Sequence, residues 1–399
     1  MRAMKLNIDI YKGVNRAIYR LNNQHRWTSM VTENKYNELA KQALNSMVSY
    51  IVASYCEEDG MEIHWERFPR IALYRAFNKA YVSYDTPEKF LAEICRIGSI
   101  DKREFDKATR TIIGERTNTE FARFISNDCD TLEYRIFRAG TKIATWLELK
   151  EQAVWVRNEK EISDHMDDVM ASLEEFMDLP GVKDLLVERS NVFMACRRIS
   201  RLRNANRWAA FPYIVDCNVL GHLFDTAVFA YFIGLEKFNY DEKLAAKMYF
   251  MGIFHDIAEA WTTDIPSDIK DRIPGFREAT EYFEDWMLET YLYKVIPDFL
   301  ELKIKDVMFE DRANLPYKKL MKGADYLSAD SECWRQYVAG SRESYFLTSA
   351  VQGFDKQLYD GRKAELPPIA RELHDTILAY CKDVVDKLKP NCSTTDASL

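Results

Sequence analysis

Apolar residues recur at helical spacing along most of the chain. In 241–260, DEKLAAKMYFMGIFHDIAEA, the residues Leu244, Met248, Met251 and Ile253 fall on roughly one stripe. Stretches 34–55 and 219–235 carry a similar pattern, so helices are expected in all three. Only 14 Gly and 11 Pro interrupt the 399 residues, and long segments are rich in Ala, Leu, Met, Glu and Lys. The chain therefore reads as all-α. Pro266 biases Ile265 away from helix, which predicts an exit near Thr262–Asp264 that folds Asp264 back toward the preceding helix. The last residues, 391–399, read as a flexible tail.

Composition narrows the class. The chain is 47% hydrophobic and 30% charged, enough apolar material for one large or two ordinary domains. A net charge of −8 argues against non-specific binding of nucleic acid. The start, MRAMKLNIDIYKGVNRA, lacks an apolar core long enough for a signal peptide, and no uncharged apolar run reaches 18 residues. Neither a membrane span nor a membrane partner is expected, and a cytoplasmic location is. Eight scattered cysteines form no CxxC pair, so reduced thiols are expected rather than a disulfide framework or a zinc finger.

The chain repeats itself weakly. QHRW (24–27) resembles ANRW (205–208), 70–87 resembles 244–266, FRAGTKIATW (137–146) resembles MKGADYLSAD (321–330), and DLP (178–180) resembles ELP (365–367). The order is the same in both halves. The interval from Arg26 to Gly140 is 114 residues and that from Arg207 to Asp325 is 118. A duplication with a join near residue 188 is expected.

Chemistry concentrates in the second copy. FHDIAEAWTTDIP (254–266) packs one His and three carboxylates into an apolar region. His255 and Asp256 point about 100° apart on a helix, yet one small metal ion can be reached by both. Glu259, four residues on, shares the face of His255 and lies within reach of a metal-bound water. His222 in VLGHLFDTAVFAYF and Asp325 in KGADYLSAD add two more candidate ligands from apolar segments, where a bare carboxylate is costly. The pattern is H…HD…D, and such nitrogen and oxygen donors suit a divalent ion such as Mn, Fe, Co, Ni or Zn. A second His-Asp pair, His374–Asp375, has plain amphipathic flanks and reads as a surface or helix-face pair. His25 and His64 read as structural.

These residues resemble the HD-domain phosphohydrolase superfamily. More narrowly, 190–390 is similar to the bacterial 5′-deoxynucleotidases that act on deoxyribonucleoside monophosphates. The resemblance rests on Arg207-Trp208, His222 fifteen residues after the Arg, HDxxExxTxDIP (255–266) and Ala324-Asp325. It implies that His222, His255, Asp256 and Asp325 hold one divalent metal, of which Mg is a further candidate. It implies that Glu259 positions or deprotonates the attacking water and that Asp264 assists near the sugar. Arg207 would contact phosphate, and Trp208, with Thr262 nearby, would pack by the sugar and select 2′-deoxyribose. One departure stands out: the family usually has Glu before the first metal His, and here it is Gly221.

The expected architecture is two tandem HD-domain-like helical bundles packed as an intrachain pseudo-dimer. Residues 1–188 would form a degenerate copy and 189–390 an active one, with 391–399 as tail. By eye, Asn78-Lys79 stand at His255-Asp256, Gly140 at Asp325, and Glu38 near His222. None of these rebuilds a metal site, so the first half reads as a scaffold or a regulatory nucleotide binder, and further self-association stays open. The arginine run Arg197, Arg198, Arg201 and Arg203 reads as a solvated face that a triphosphate would put to use. The leading expectation is a deoxynucleoside monophosphatase. A deoxynucleoside triphosphohydrolase, an alarmone or cyclic-nucleotide hydrolase, and a non-catalytic nucleotide sensor remain as alternatives.

Overall fold

Asn and Asp caps set where many of the helices begin. Asn7 accepts the Ile10 amide, Asn37 that of Ala40, Asn218 that of Gly221, and Asp241 those of Lys243 and Leu244. The computed structural model describes residues 4–388 apart from 29–31, 33–35, 85, 87, 127, 156–159, 209–211, 263–269, 271, 314, 342–343 and 361–363. Its helices are α1 (Ile8–Asn23), α2 (Glu38–Glu58), α3 (Arg67–Asn78), α4 (Glu88–Ile97), α5 (Lys102–Arg116), α6 (Thr119–Ser126), α7 (Leu132–Trp155), α8 (Lys160–Leu173) and α9 (Asn191–Ser200). They continue as α10 (Val219–Lys237), α11 (Glu242–Phe254), α12 (Glu259–Thr262), α13 (Phe276–Leu288), α14 (Asp298–Ala313), α15 (Leu315–Val338), α16 (Ser344–Asp360) and α17 (Pro368–Leu388). Among the described residues no strand occurs. Two isolated bridges, His25 with Asn37 and Asn206 with Asn218, close the loops ahead of α2 and α10. The fold is all-α, as the spacing predicts.

Helix α10 is apolar on every side, and a helix of that kind belongs in a core. It is long and apolar enough to cross a membrane by length and composition, and it is almost wholly buried inside the protein. It packs against α2, α11 and α15. The contact with α11 is close because position 252 has no side chain: a Cβ there would lie 2.4 Å from Cα of Ala227. The charges of α10 are paired, with Asp225 held by Arg335 of α15 at 2.9 Å, both fully buried.

Each half reaches into the other. From the first half, Asn22 donates to the Asp216 carbonyl at 2.8 Å, and Asn15 accepts from Ser331. From the second, Arg203 donates to Glu148 and Arg201 to Glu151, each at 3.1 Å. The arginine run reads as a solvated face at Arg198 and Arg201, which are exposed, but not at Arg203, which is buried; Arg198 also donates its Nε to the Ala260 carbonyl at 2.7 Å.

The second His-Asp pair also differs from expectation. Asp375 is exposed, but His374 is fully buried. Its Nδ1 meets Asp330 at 2.5 Å and its Nε2 meets Asp355 at 3.2 Å, tying α15, α16 and α17 together. Burial disfavours its charge, yet the two carboxylates outweigh that and raise its pKa above the ordinary 6.5. The amphipathic flanks alone do not show that α17 turns this histidine inward. Because the folded pKa is raised, the stabilisation is complete below about pH 6.5 and fades as pH rises through the folded value. Replacing His374 by Gln strands Asp330 and is expected to cost about 3 kcal/mol or more. Melting curves at pH 6 and pH 9 should show the larger gap from wild type at pH 6.

Candidate metal centre

The motif 255–259 does not continue its helix. α11 ends at Phe254, and 255–258 are turns that lead into the single turn of α12. The backbone tightens to three-residue spacing, with Ile257 N on Phe254 O and Glu259 N on Asp256 O at 3.2 and 3.1 Å. Glu259 thus sits half-buried on its own short helix, not on the His255 face of one long helix.

Two histidines are held from behind. His255 sets its Nδ1 on the Gly252 carbonyl at 2.8 Å, which directs Nε2 away from the helix. His222 sets its Nδ1 on Ser328 Oγ at 2.9 Å, with Glu332 Oε1 at 3.3 Å. Its Nε2 then faces Asp325 Oδ1 at 3.1 Å, with Thr226 Oγ1 at 3.3 Å. The rings of His222 and His255 stand 5.4 Å apart, and ligand atoms of His222, His255 and Asp325 lie within 4.8 Å of one another. Asp256 Oδ2 lies 3.1 Å from His255 Nε2. All four predicted ligands therefore meet in one place.

The donor set fits a divalent cation. His255 Nε2 is buried and makes no hydrogen bond, with the Asp256 carboxylate 3.1 Å away. Burial works against charge on His255, but Asp256 and then Asp325 outweigh it and raise it to about 9. Burial likewise resists ionisation of Asp256 and Asp325, yet His255 holds the first, and Lys322 with His222 the second, below the usual carboxylate range. Lys322 also approaches this site, its Nζ meeting Asp325 at 2.5 Å.

The other predicted residues are partly accounted for. Arg207 donates its Nε to Glu332 Oε2 at 3.1 Å, and Trp208 donates Nε1 to the same oxygen at 2.7 Å. Among the described residues the Arg207 guanidinium makes no further hydrogen bond or ion pair, so its terminal nitrogens are open to an anion. Trp208 holds a left-handed backbone, φ 60°. The Thr262 hydroxyl donates to the Ala258 carbonyl at 3.2 Å and closes its own turn. Asp264 and the Ile265-Pro266 that follows lie outside the described residues. Sequence reasoning missed Glu332 and Lys322. The only local trace of Glu332 is a carboxylate in the apolar run SECWRQYV.

Three of these features recur in the first half. Trp27 is also left-handed, φ 62°, and Arg26 and Trp27 both donate to Oε2 of Glu148. There, however, Lys41 places its Nζ 2.8 Å from Thr145 Oγ1 and 3.3 Å from the Thr141 carbonyl, with Glu148 at 3.8 Å. By hydrogen-bond pattern Lys41, not Glu38, stands at His222, and Thr141, not Gly140, at Asp325. Arg26 has no free face, because its Nη1 goes to Glu38 at 2.9 Å. Trp27 is packed on His165 of α8.

The family model for YfbR-like 5′-deoxynucleotidases matches residues 193–366. Residues 193–366 are thus similar to this family. Curated relatives include the 5′-deoxynucleotidases of Yersinia pestis (strain Pestoides F) and of Yersinia pseudotuberculosis serotype O:3 (strain YPIII). Each is 27% identical over 148 residues, which is 36% of this chain and 74% of the relative. The YfbR-like match spans His222, His255, Asp256 and Asp325 as well as Glu332. Its residue Gly221 faces the first half, where a Cβ would come 3.3 Å from Leu39 Cδ2.

Close packing of α10 on α11 is what brings the two histidines of the YfbR-like half together. Gly252→Ala is expected to push the helices apart, cost about 1–3 kcal/mol and lower both the melting temperature and the affinity for Mn²⁺. Titration calorimetry with Mn²⁺ beside thermal melting checks this; unchanged values on both counts would contradict it.

Proposed function

We propose that residues 189–390 hydrolyse the phosphate ester of 5′-deoxynucleotides, with deoxynucleoside monophosphates as preferred substrates. The observation that carries the reading is the convergence of His222, His255, Asp256 and Asp325 beside an Arg207 whose terminal nitrogens are open. Those four residues would hold a divalent ion, which would supply Lewis acidity toward water and the phosphoryl oxygens. Arg207 binds phosphate through its planar fork. Glu259 accepts the proton of the attacking water, and Asp264 assists near the sugar. Trp208 forms a rigid wall that crowds a 2′-hydroxyl, and Thr262 steadies the turn carrying Glu259.

A triphosphate substrate is less well supported. Arg198, Arg201 and Arg203, which would meet a longer phosphate chain, are engaged by Ala260, Glu151 and Glu148.

Residues 1–188 are, on this reading, a degenerate copy of the same unit, and the two form a pseudo-dimer within one chain, with 391–399 as tail. The repeated bridge, the Asn cap, the left-handed Trp and the buried Glu that receives it support this. With Arg26 saturated and Lys41 in the place of His222, the first half acts as scaffold. The chain would work in the cytoplasm.

A hydrolysis screen with added Mn²⁺, Co²⁺, Mg²⁺ or Zn²⁺ tests this, using deoxy- and ribonucleoside mono- and triphosphates. Phosphate release from deoxynucleoside monophosphates is expected, reduced at least about a hundredfold in Asp256→Ala and Glu259→Ala. Release of triphosphate from a triphosphate substrate instead would move the reading to that rival. Nucleotide binding with no turnover under any metal would leave a sensor.

A further inference from the structure

We infer that Glu332 is a positioning residue: one buried carboxylate sets the metal-facing nitrogen of His222, the fork of Arg207 and the indole of Trp208 together. The inference rests on the reading of the second half as a deoxynucleotide phosphohydrolase. Three functional side chains converge on the single Glu332 carboxylate. Oε2 accepts from Arg207 Nε at 3.1 Å and from Trp208 Nε1 at 2.7 Å, while Oε1 stands 3.3 Å from His222 Nδ1. The side chain is 1% exposed, so no water competes for those oxygens.

Each contact has a separate consequence. A carboxylate and the Ser328 hydroxyl beside Nδ1 favour the tautomer with hydrogen there, which leaves the Nε2 lone pair facing Asp325 and the metal site. Fixing Arg207 by its Nε leaves both terminal nitrogens in one plane for a phosphate. Fixing the Trp208 nitrogen sets the angle of the ring that walls the sugar. Arg207 Nε and Trp208 Nε1 can only donate, so Oε2 is an acceptor toward both.

The first half supplies an internal comparison. Glu148 receives Arg26 and Trp27 in the same way, but its other oxygen takes Arg203 at 3.1 Å rather than a histidine, with Lys41 3.8 Å from Oε2. The pairing of Arg and Trp to a buried Glu thus occurs with and without a metal-site histidine. What distinguishes Glu332 is that it extends the pairing to a ligand.

The test compares wild type with Glu332→Gln and Glu332→Asp. Affinity for Mn²⁺ is measured without nucleotide by titration calorimetry, and kcat and KM are measured for a deoxy- and a ribonucleoside monophosphate. Glu332→Gln is expected to weaken Mn²⁺ binding about 10–100-fold, to raise KM for the deoxynucleotide and to lower the deoxy-to-ribo ratio of kcat/KM. Glu332→Asp should recover part of the Mn²⁺ affinity and of the ratio. Should Glu332→Gln fail to fold, Trp208→Phe removes the indole hydrogen bond along with part of the ring; it should lower the ratio and leave Mn²⁺ affinity near wild type. A folded Glu332→Gln with wild-type Mn²⁺ affinity and ratio overturns the inference, as does a uniform loss of kcat that leaves both unchanged, or an unchanged ratio in Trp208→Phe. If wild type turned over no deoxynucleotide, the functional reading would fall, and the Mn²⁺ comparison would still decide the role of Glu332.

Discussion

A carboxylate kept from water needs positive charge or hydrogen donors around it, and both halves of this protein are arranged around one such group. Glu148 in α7 and Glu332 in α15 are each 1% exposed, and each takes an Arg and a Trp from the loop ahead of a buried helix. In the first half the neighbours are Arg26, Arg203 and Lys41. Burial works against the charge of Glu148, yet these three hold its pKa down at about 2. Burial also draws the Lys41 ammonium well below the lysine range, with Glu148 opposing. In the second half the third neighbour is His222, and beyond it stand Asp325, His255 and Asp256. One site balances itself with lysine and arginine, and the other gathers acids and imidazoles that call for a metal.

This difference explains why the halves need each other. Arg203, on the second-half segment, completes the charge balance of the first half, and it also lies over the Tyr36 ring at 4.7 Å. Asn15 and Asn22 of the first half reach the Ser331 and Asp216 region of the second. Removing either half would expose buried charge as well as apolar surface. From the first half, Leu39 of α2 also covers the face of α10 that carries Gly221.

Much of this was legible in the sequence because its signals are local. Helical periodicity located α2, α10 and α11, and His255-Asp256 with Glu259 three residues on drew attention to the loop after α11. The four proposed ligands could be picked out because His and Asp are rare in apolar runs. Glu332 was not, since its partners lie more than a hundred residues away and only packing brings them together. If the halves are copies, as proposed, Lys41 rather than Glu38 answers to His222, and its lack of chemical likeness to a histidine hides this; it sits four residues after the cap Asn37, as His222 does after Asn218. His374 looked peripheral because its helix is amphipathic, yet it lies on the inward stripe.

Crystals grown with Mn²⁺, analysed by anomalous difference maps at the manganese edge, put the account to its most direct test. It predicts one ion per chain, bound by His222, His255, Asp256 and Asp325, and none beside Lys41 and Glu148. An ion in the first half, or one in the second half held by other residues, would contradict it.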